Sequence, residues 1–227
     1  MRKTLLMSSI ILFFGCTKEI NSGSTNAANT SNIQNSVLAT NTYLPLTKGS
    51  YWMYNIRTDG GIPETSKIKV LGISKKINNK NYQTVKSVTA ESIDTLYYAH
   101  EQNNYYIYTN TGTTDADKIS MEILFLKDDV SVGKSWVEPA GKANGFNLRC
   151  YGKIIEKDAT MTIGDVTYKH VIHSYVEIRK PLLFTYIVVN RQDFYTAQNI
   201  GIVKNVSDIL LPDKSTTITK ITGYKIN

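Results

Sequence analysis

The side chains that could hold a metal ion or transfer a proton begin with three histidines, His100, His170 and His173. Side chains alternate between the two faces of a strand, so His170 and His173 would point in opposite directions on the strand that this segment resembles. They could then share a metal ion only across a bulge. His100, beside Glu101, is predicted to be an exposed edge residue. We therefore predict no metal site.

Carboxylates could bind calcium or act as a catalytic pair. Two acidic runs, Asp115 to Asp117 and Asp128 to Asp129, lack the regularly spaced loop of a dedicated calcium site, and we predict solvated turns there. Nothing in the spacing of the remaining acids brings two of them together as a glycosidase-type pair. The candidates are Glu91, Asp94, Glu122, Glu138, Glu156 and Glu177. Motifs for a serine nucleophile, a zinc protease or a phosphate loop are also missing from the sequence, so we predict a protein that is not an enzyme and uses no cofactor.

Tyrosines are the other conspicuous group. Tyr97 and Tyr98 lie in one predicted strand, and Tyr105, Tyr106 and Tyr108 lie in the next, across a short polar turn. On a hairpin, alternate tyrosines of both strands share a face, where they could stack on sugars, hold acyl chains or meet a protein. The alternative is that one face belongs to the core and the other shows ordinary cross-strand pairing.

The second of the two cysteines, Cys150, and a modest net charge restrict the function further. Cys150 lies in an apolar-looking strand and is predicted to be a small buried residue. The chain carries a net charge of +7 with its lysines scattered, which suits solubility or weak attraction to anionic lipid and glycan. No basic block interleaved with aromatic residues is present, so we predict no nucleic-acid partner.

The N-terminus has the pattern of an export signal. Arg2 and Lys3 precede an apolar run, residues 5–14, that is too short to span a bilayer. The Gly-Cys pair that follows resembles the lipobox of bacterial lipoproteins. This resemblance implies a mature chain that begins at lipidated Cys16 and is held to a membrane by acyl chains. Thr17, where a retention signal would have aspartate, favours the outer membrane.

Composition divides the chain into three parts. Residues 1–15 are the predicted signal peptide. Residues 16–42, rich in Asn, Ser, Thr and Ala, are predicted to be the lipidated cysteine followed by a disordered tether with a span of roughly 25–30 Å. Residues 43–227 are predicted to form a β-rich domain.

That domain contains short β-branched and aromatic runs separated by Gly, Asn and Asp, which predict a mainly β, antiparallel fold. The predicted strands are 51–56, 67–76, 82–88, 93–100, 105–109, 119–126, 146–156, 166–178, 184–190, 202–206 and 216–226.

A weak internal repeat divides the domain into about 43–126 and 127–227. A turn with Gly49 precedes Trp52, and a similar turn with Gly133 precedes Trp136. Two similar half-sheets would pack as a sandwich or curl into one strongly curved open barrel.

The same residues carry a resemblance to a family. A Pro-Leu-x-x-Gly-x-x-Trp-x-Tyr segment after an Asn/Ser-rich leader, a second Gly-x-x-Trp, and a late Gly-Ile-Val-Lys that begins at Gly201 resemble uncharacterised envelope lipoproteins of Bacteroidetes-type bacteria. The resemblance implies a lipidated β domain in which Gly49, Trp52, Gly133, Trp136 and Gly201 are structural. It implies no particular activity.

Three hypotheses of function follow. The first is a membrane-anchored, non-catalytic binding or assembly domain whose partner is a glycan, a lipid or an envelope protein. The second is a carrier of an apolar ligand, by a distant likeness of fold class to periplasmic lipoprotein carriers. The third is a hydrolase with paired carboxylates. They predict respectively a filled core, an apolar concavity, and a cleft with two carboxylates about 5–9.5 Å apart.

Overall fold

A computed structural model describes residues 41–112 and 118–227, and its strands form one closed antiparallel barrel. Each strand pairs with its neighbours in sequence, and β1 pairs with β12 to close the sheet. The strands are β1 (Tyr51–Thr58), β2 (Glu64–Ile77), β3 (Lys80–Val88), β4 (Ile93–Glu101), β5 (Asn104–Thr111), β6 (Ile119–Lys127), β7 (Ser135–Ala143), β8 (Phe146–Ile163), β9 (Val166–Leu182), β10 (Thr185–Ala197), β11 (Gly201–Ile209) and β12 (Ser215–Lys225).

The predicted mainly β, antiparallel fold is confirmed, and the curved sheet is the arrangement that forms. The barrel is closed instead of open, because β1 and β12 pair along eight residues of each strand. In the described part of the chain, no helix is long and apolar enough to cross a membrane.

β7, which contains Pro139 and Gly141, is a strand that the sequence does not predict. Both residue types disfavour an interior strand. The structure accommodates them because the β7–β8 register shifts between Pro139 and Lys142, and because β7 meets β6 only at its last three residues, so one edge at Pro139 is free of a strand. The edge is free because β6 pairs with β7 only from Ile119 to Met121.

The two ends of the barrel differ. The proximal end carries Asn41 and the β10–β11 turn, where the Asn199 amide donates to the Thr42 carbonyl at 2.6 Å. Leu44 then enters the apolar core and covers this end. Thr42, which the sequence analysis assigned to the tether, is therefore buried against the barrel. The distal end carries the β1–β2, β7–β8 and β9–β10 turns.

Similar turns open β1 and β7. The Gly49 amide donates to the Val70 carbonyl on β2 at 3.0 Å, and the Gly133 amide donates to the Ile154 carbonyl on β8 at 2.9 Å. Both glycines have a positive φ, 87° and 84°, which a side chain disfavours. Each donor and acceptor in the second turn lies 84 residues after its counterpart, the same spacing as that of the two tryptophans.

Each tryptophan lies against a glycine. Trp52 Nε1 donates to the Ile200 carbonyl at 2.5 Å and packs on Gly201, where an added Cβ would lie 3.2 Å from that nitrogen. The Trp136 ring lies so close to Gly152 on β8 that an added Cβ would overlap it. Gly201 and Gly152 thus leave the space that the two rings occupy.

Twelve strands form a barrel too wide for side chains to fill from the wall alone, since about eight strands give a fully packed interior. Here β6 separates from β7 while it stays paired with β5, and it packs against β8 and β9. Beyond Met121, β6 no longer pairs with β7, and every side chain from Met121 to Leu126 is buried. The resulting apolar core draws residues from all twelve strands.

A strand that leaves its partner exposes carbonyl groups that must find other donors. The Leu124 carbonyl accepts from Trp136 Nε1 at 3.2 Å and from the Cys150 thiol at 3.6 Å. The Phe125 carbonyl accepts from Ser174 Oγ at 2.6 Å. The backbone of β6 therefore lies against inner-face side chains of β7, β8 and β9.

The inner wall formed by β10 and β11 is polar. Gln192 Nε2 donates to Asn190 Oδ1 at 2.8 Å, and Asn190 Nδ2 donates to Ser207 Oγ at 3.0 Å. Asn205 Nδ2 reaches Gln192 Oε1 at 3.5 Å. These four residues are buried, so their amides and hydroxyls are satisfied largely by one another.

Two threonines on β12 give a test of this wall. The Thr217 hydroxyl pairs with the Thr58 hydroxyl at 3.0 Å, whereas the buried Thr219 hydroxyl has no partner among the described residues. We expect Thr219→Val to raise the free energy of unfolding by up to about 1 kcal/mol and Thr217→Val to lower it by about the same amount. Urea unfolding of both variants measures this. Equal destabilisation by both substitutions would contradict the inference that the Thr219 hydroxyl lacks a hydrogen-bond partner and the Thr217 hydroxyl has one.

Candidate binding surface

The structure divides the five predicted tyrosines between the two faces of the sheet. Tyr98 and Tyr105 point into the barrel and are buried in the apolar core. Tyr97, Tyr106 and Tyr108 lie on the outer face, where Tyr97 pairs with Tyr108 across β4 and β5. Three rings therefore share an outer face, as the hairpin argument expected.

This outer tyrosine cluster is covered by the β2–β3 hairpin. Asn78 Nδ2 donates to Glu122 Oε2 at 2.6 Å, and the Lys80 ammonium contacts Glu122 Oε1 at 2.5 Å. Lys80 lies over the Tyr106 ring and Lys75 lies over the Tyr97 ring, at 4.7 and 4.9 Å from the ring centroids. The lysines thus occupy ring faces that a sugar would need for stacking.

Burial affects the hydroxyls of this cluster as well. Desolvation, with the nearby Glu122 carboxylate, raises the pKa of Tyr106 to about 12 and raises that of Tyr82 further. Both hydroxyls stay protonated at neutral pH. The cluster joins the hairpin to β6 and offers no group that is ready to react.

Tyr105 holds the proximal end together. Its ring stacks on His100 with centroids 4.2 Å apart, and its hydroxyl donates to Asp128 Oδ2 at 2.7 Å. The Tyr43 amide in turn donates to the Tyr105 hydroxyl at 3.3 Å. His100 is exposed, and Asp128 is engaged by a tyrosine.

The other histidines pair with different carboxylates. His170 contacts Asp158, and His173 Nε2 lies 2.6 Å from Asp193 Oδ1 while its ring stacks on Tyr195. Over residues 41–112 and 118–227, no three His, Cys, Asp or Glu side chains are arranged to hold a metal ion. The Asp115 and Asp117 turn lies outside the described residues.

Cys150 is buried, which confirms the predicted position. Desolvation raises the pKa of its thiol to about 12, so it is protonated at neutral pH. A protonated thiol is a poor nucleophile. Its role here is the hydrogen bond to the Leu124 carbonyl.

A cleft lies on the outer face of β1 and β12. Its volume is about 260 Å³, and it is lined by Asn55, Arg57, Ile218 and Lys220. Small-molecule sites are usually larger, about 300–1,000 Å³, and mostly apolar. This cleft therefore fits a small-molecule site poorly.

A charged cluster lies on the outer face of β9 and β10. The Glu177 carboxylate accepts from the Tyr175 hydroxyl and from Arg179 Nε, both at 2.7 Å, and Arg191 Nε lies 3.7 Å away. Desolvation alone would raise the pKa of Glu177, but these hydrogen bonds and the two guanidinium charges outweigh it and hold the pKa below its usual value. Glu177 is therefore ionised and cannot serve as a general acid at neutral pH.

The distal end carries a surface that the sequence analysis missed. Leu182, Leu183 and Phe184 join β9 to β10, and all three are exposed; Leu183 exposes 92% of its surface and Phe184 is fully exposed. We call residues 182–184 the hairpin tip. Phe146, in the neighbouring β7–β8 turn region, is exposed beside it. Consecutive apolar residues directly after Arg179-Lys180-Pro181 were the signal available in the sequence.

Cations lie immediately behind the hairpin tip, against aromatic rings. Lys180 Nζ is 3.7 Å from the centroid of the Phe146 ring, and the Arg149 guanidinium is 4.5 Å from that of Tyr186. Arg179 lies over Tyr151 at 4.5 Å. In the part of the chain that the structure describes, neither Lys180 nor Arg149 forms an ion pair. Their charge is available to a partner.

Comparison with known proteins finds similarity of fold. A predicted lipoprotein from Parabacteroides distasonis superposes with a TM-score of 0.50 at 8% identity, over 82% of this chain and 99% of that chain. A predicted exported protein with a YmcC-like fold, from Bacteroides fragilis, gives a TM-score of 0.47 at 12% identity, over 80% and 97%. No protein-family model and no curated protein matches the sequence. The Parabacteroides protein therefore shares the fold of this chain.

The Glu177 cluster generates a prediction about pH. Because folding lowers the pKa of Glu177, its ionised form stabilises the barrel fully above the unfolded-state pKa, and this stabilisation is lost as the pH falls through the folded-state value. We expect Glu177→Gln to lower the free energy of unfolding at pH 7 and to differ less from wild type near pH 3. Urea unfolding at both values measures this, with exposed Glu91→Gln as the control. A deficit that is as large near pH 3 would contradict it.

Proposed function

We propose that this chain is a lipoprotein of the bacterial envelope, anchored through acyl chains on Cys16, whose barrel is a non-catalytic binding or assembly domain. The observation that carries the proposal is the contrast between interior and exterior. The interior is packed by apolar side chains from all twelve strands, whereas the exposed hairpin tip and its cations lie free at the distal end. A partner would therefore meet the outside of the domain.

The other two hypotheses have less support. A carrier needs an apolar concavity, but the β6 backbone lies against side chains of β7, β8 and β9, and Asn190, Gln192 and Asn205 make one inner wall polar. A hydrolase needs a protonated and an ionised carboxylate beside each other. The buried Glu122 and Glu177 are instead each held by cations.

Anchoring is consistent with the position of the first described residues. Asn41 lies at the proximal end, where its amide donates to Asn199 Oδ1 at 2.9 Å, so a chain from Cys16 reaches the barrel there. The 24 intervening residues have a contour of about 80 Å, long enough to allow either end of the barrel to face a membrane. Thr17 favours the outer membrane as the site of anchoring.

Cys16→Ser tests the anchor. Cells grown with an alkyne fatty acid should label the wild-type protein and the Cys150→Ala variant but not Cys16→Ser, because only Cys16 follows the leader. Membrane-bound protein that resists washing with high salt should be lost in parallel. Fatty-acid labelling of Cys16→Ser, or an unlabelled wild-type protein, would contradict the proposal.

A further inference from the structure

The conformation of the hairpin tip is unusual for its residues. Leu182 pairs with Thr185, so Leu183 and Phe184 alone make the turn. A two-residue hairpin turn favours Asn and Gly, which tolerate positive φ. Leu183 has a φ of 51°, and among the described non-glycine residues with positive φ it is the one with an apolar side chain.

Two features of this turn therefore raise the free energy of the folded protein. A leucine at positive φ strains the backbone, and two large apolar side chains in water lose the benefit of burial. Nothing in the packing of the barrel requires them, because Leu183 and Phe184 contribute nothing to the apolar core. Strain and exposure together at one turn indicate a partner that covers it.

The cations indicate which partner. Arg179 and Lys180 are adjacent on β9, so their side chains leave opposite faces of the hairpin, and Arg149 lies beside Arg179 on β8. Positive charge thus flanks the hairpin on both faces, with Lys180 two residues and Arg179 three residues before Leu182. Tyr186, whose ring carries Arg149, lies at the same level.

We infer that the hairpin tip inserts into the surface of an anionic lipid bilayer, with Leu183 and Phe184 among the acyl chains and Lys180 and Arg149 at the phosphate groups. Apolar side chains backed by cations match the depth profile of a membrane interface, and aromatic rings such as Tyr186 favour the headgroup level. The inference rests on the proposed function and names the partner of the binding domain.

The experiment uses residues 41–227, which contain all twelve strands of the closed barrel and lack Cys16. The protein is sedimented with vesicles of phosphatidylglycerol and phosphatidylethanolamine, and with neutral phosphatidylcholine vesicles. We expect binding to the anionic vesicles that weakens at high salt.

The decisive variant is Leu183→Asn with Phe184→Gly, which installs the favoured turn sequence. We expect its melting temperature to be unchanged or higher, while its affinity for anionic vesicles falls by at least about tenfold. Ile62→Ser is the matched control, because Ile62 is 94% exposed in the β1–β2 turn of the same end. Its affinity should stay within about twofold of wild type. Arg149→Gln with Lys180→Gln should remove the preference for anionic vesicles.

Each other outcome overturns the inference. Absence of wild-type binding to vesicles, or equal binding by the turn variant, excludes insertion of the hairpin tip. A dimer in solution that dissociates in the turn variant assigns the tip to a second copy of this chain. If the tip captures an envelope protein and no vesicle, the lipid assignment fails while the proposed binding domain stands.

Discussion

The structure depends on how a twelve-stranded barrel avoids an empty centre. A wall of twelve strands encloses more space than its own side chains fill, and an apolar void would leave their surfaces without contacts. β6 prevents this void because it separates from β7 after Met121, while still paired with β5, and packs against β8 and β9. The solution requires donors for the carbonyl groups that β7 no longer meets, and Trp136, Cys150 and Ser174 supply them.

Several residues that could be mistaken for functional ones hold β6 in place. The buried Cys150 thiol donates a hydrogen bond to β6, and the second Gly-x-x-Trp turn positions the Trp136 indole, which reaches the same carbonyl. Glu122 joins the β2–β3 hairpin to β6. With the interior occupied, side chains that can meet a partner lie outside, and at the distal end exposed apolar residues lie beside Lys180 and Arg149, which form no ion pair with any described residue.

Much of the fold could be predicted from the sequence, because strand texture and turn residues are local signals. Eleven of the twelve strands were predicted; β7 was missed because Pro139 disfavours a strand unless a neighbouring edge is free, which depends on β6. Closure of the barrel could not be predicted in this way, because it depends on the pairing of β1 with β12, which are far apart in the sequence. The hairpin tip was missed for the opposite reason, since Leu183 and Phe184 are not typical turn residues and the sequence predicts a strand that begins at Phe184.

The most direct test of a filled barrel that acts through its outer surface is native mass spectrometry of residues 41–227, purified from a bacterial host without detergent. We predict the mass of the bare polypeptide, because the apolar core, with β6 in it, occupies the space that a carried ligand would need. A stoichiometric lipid or other apolar adduct that survives removal of the hairpin tip would contradict it and return the carrier hypothesis to first place.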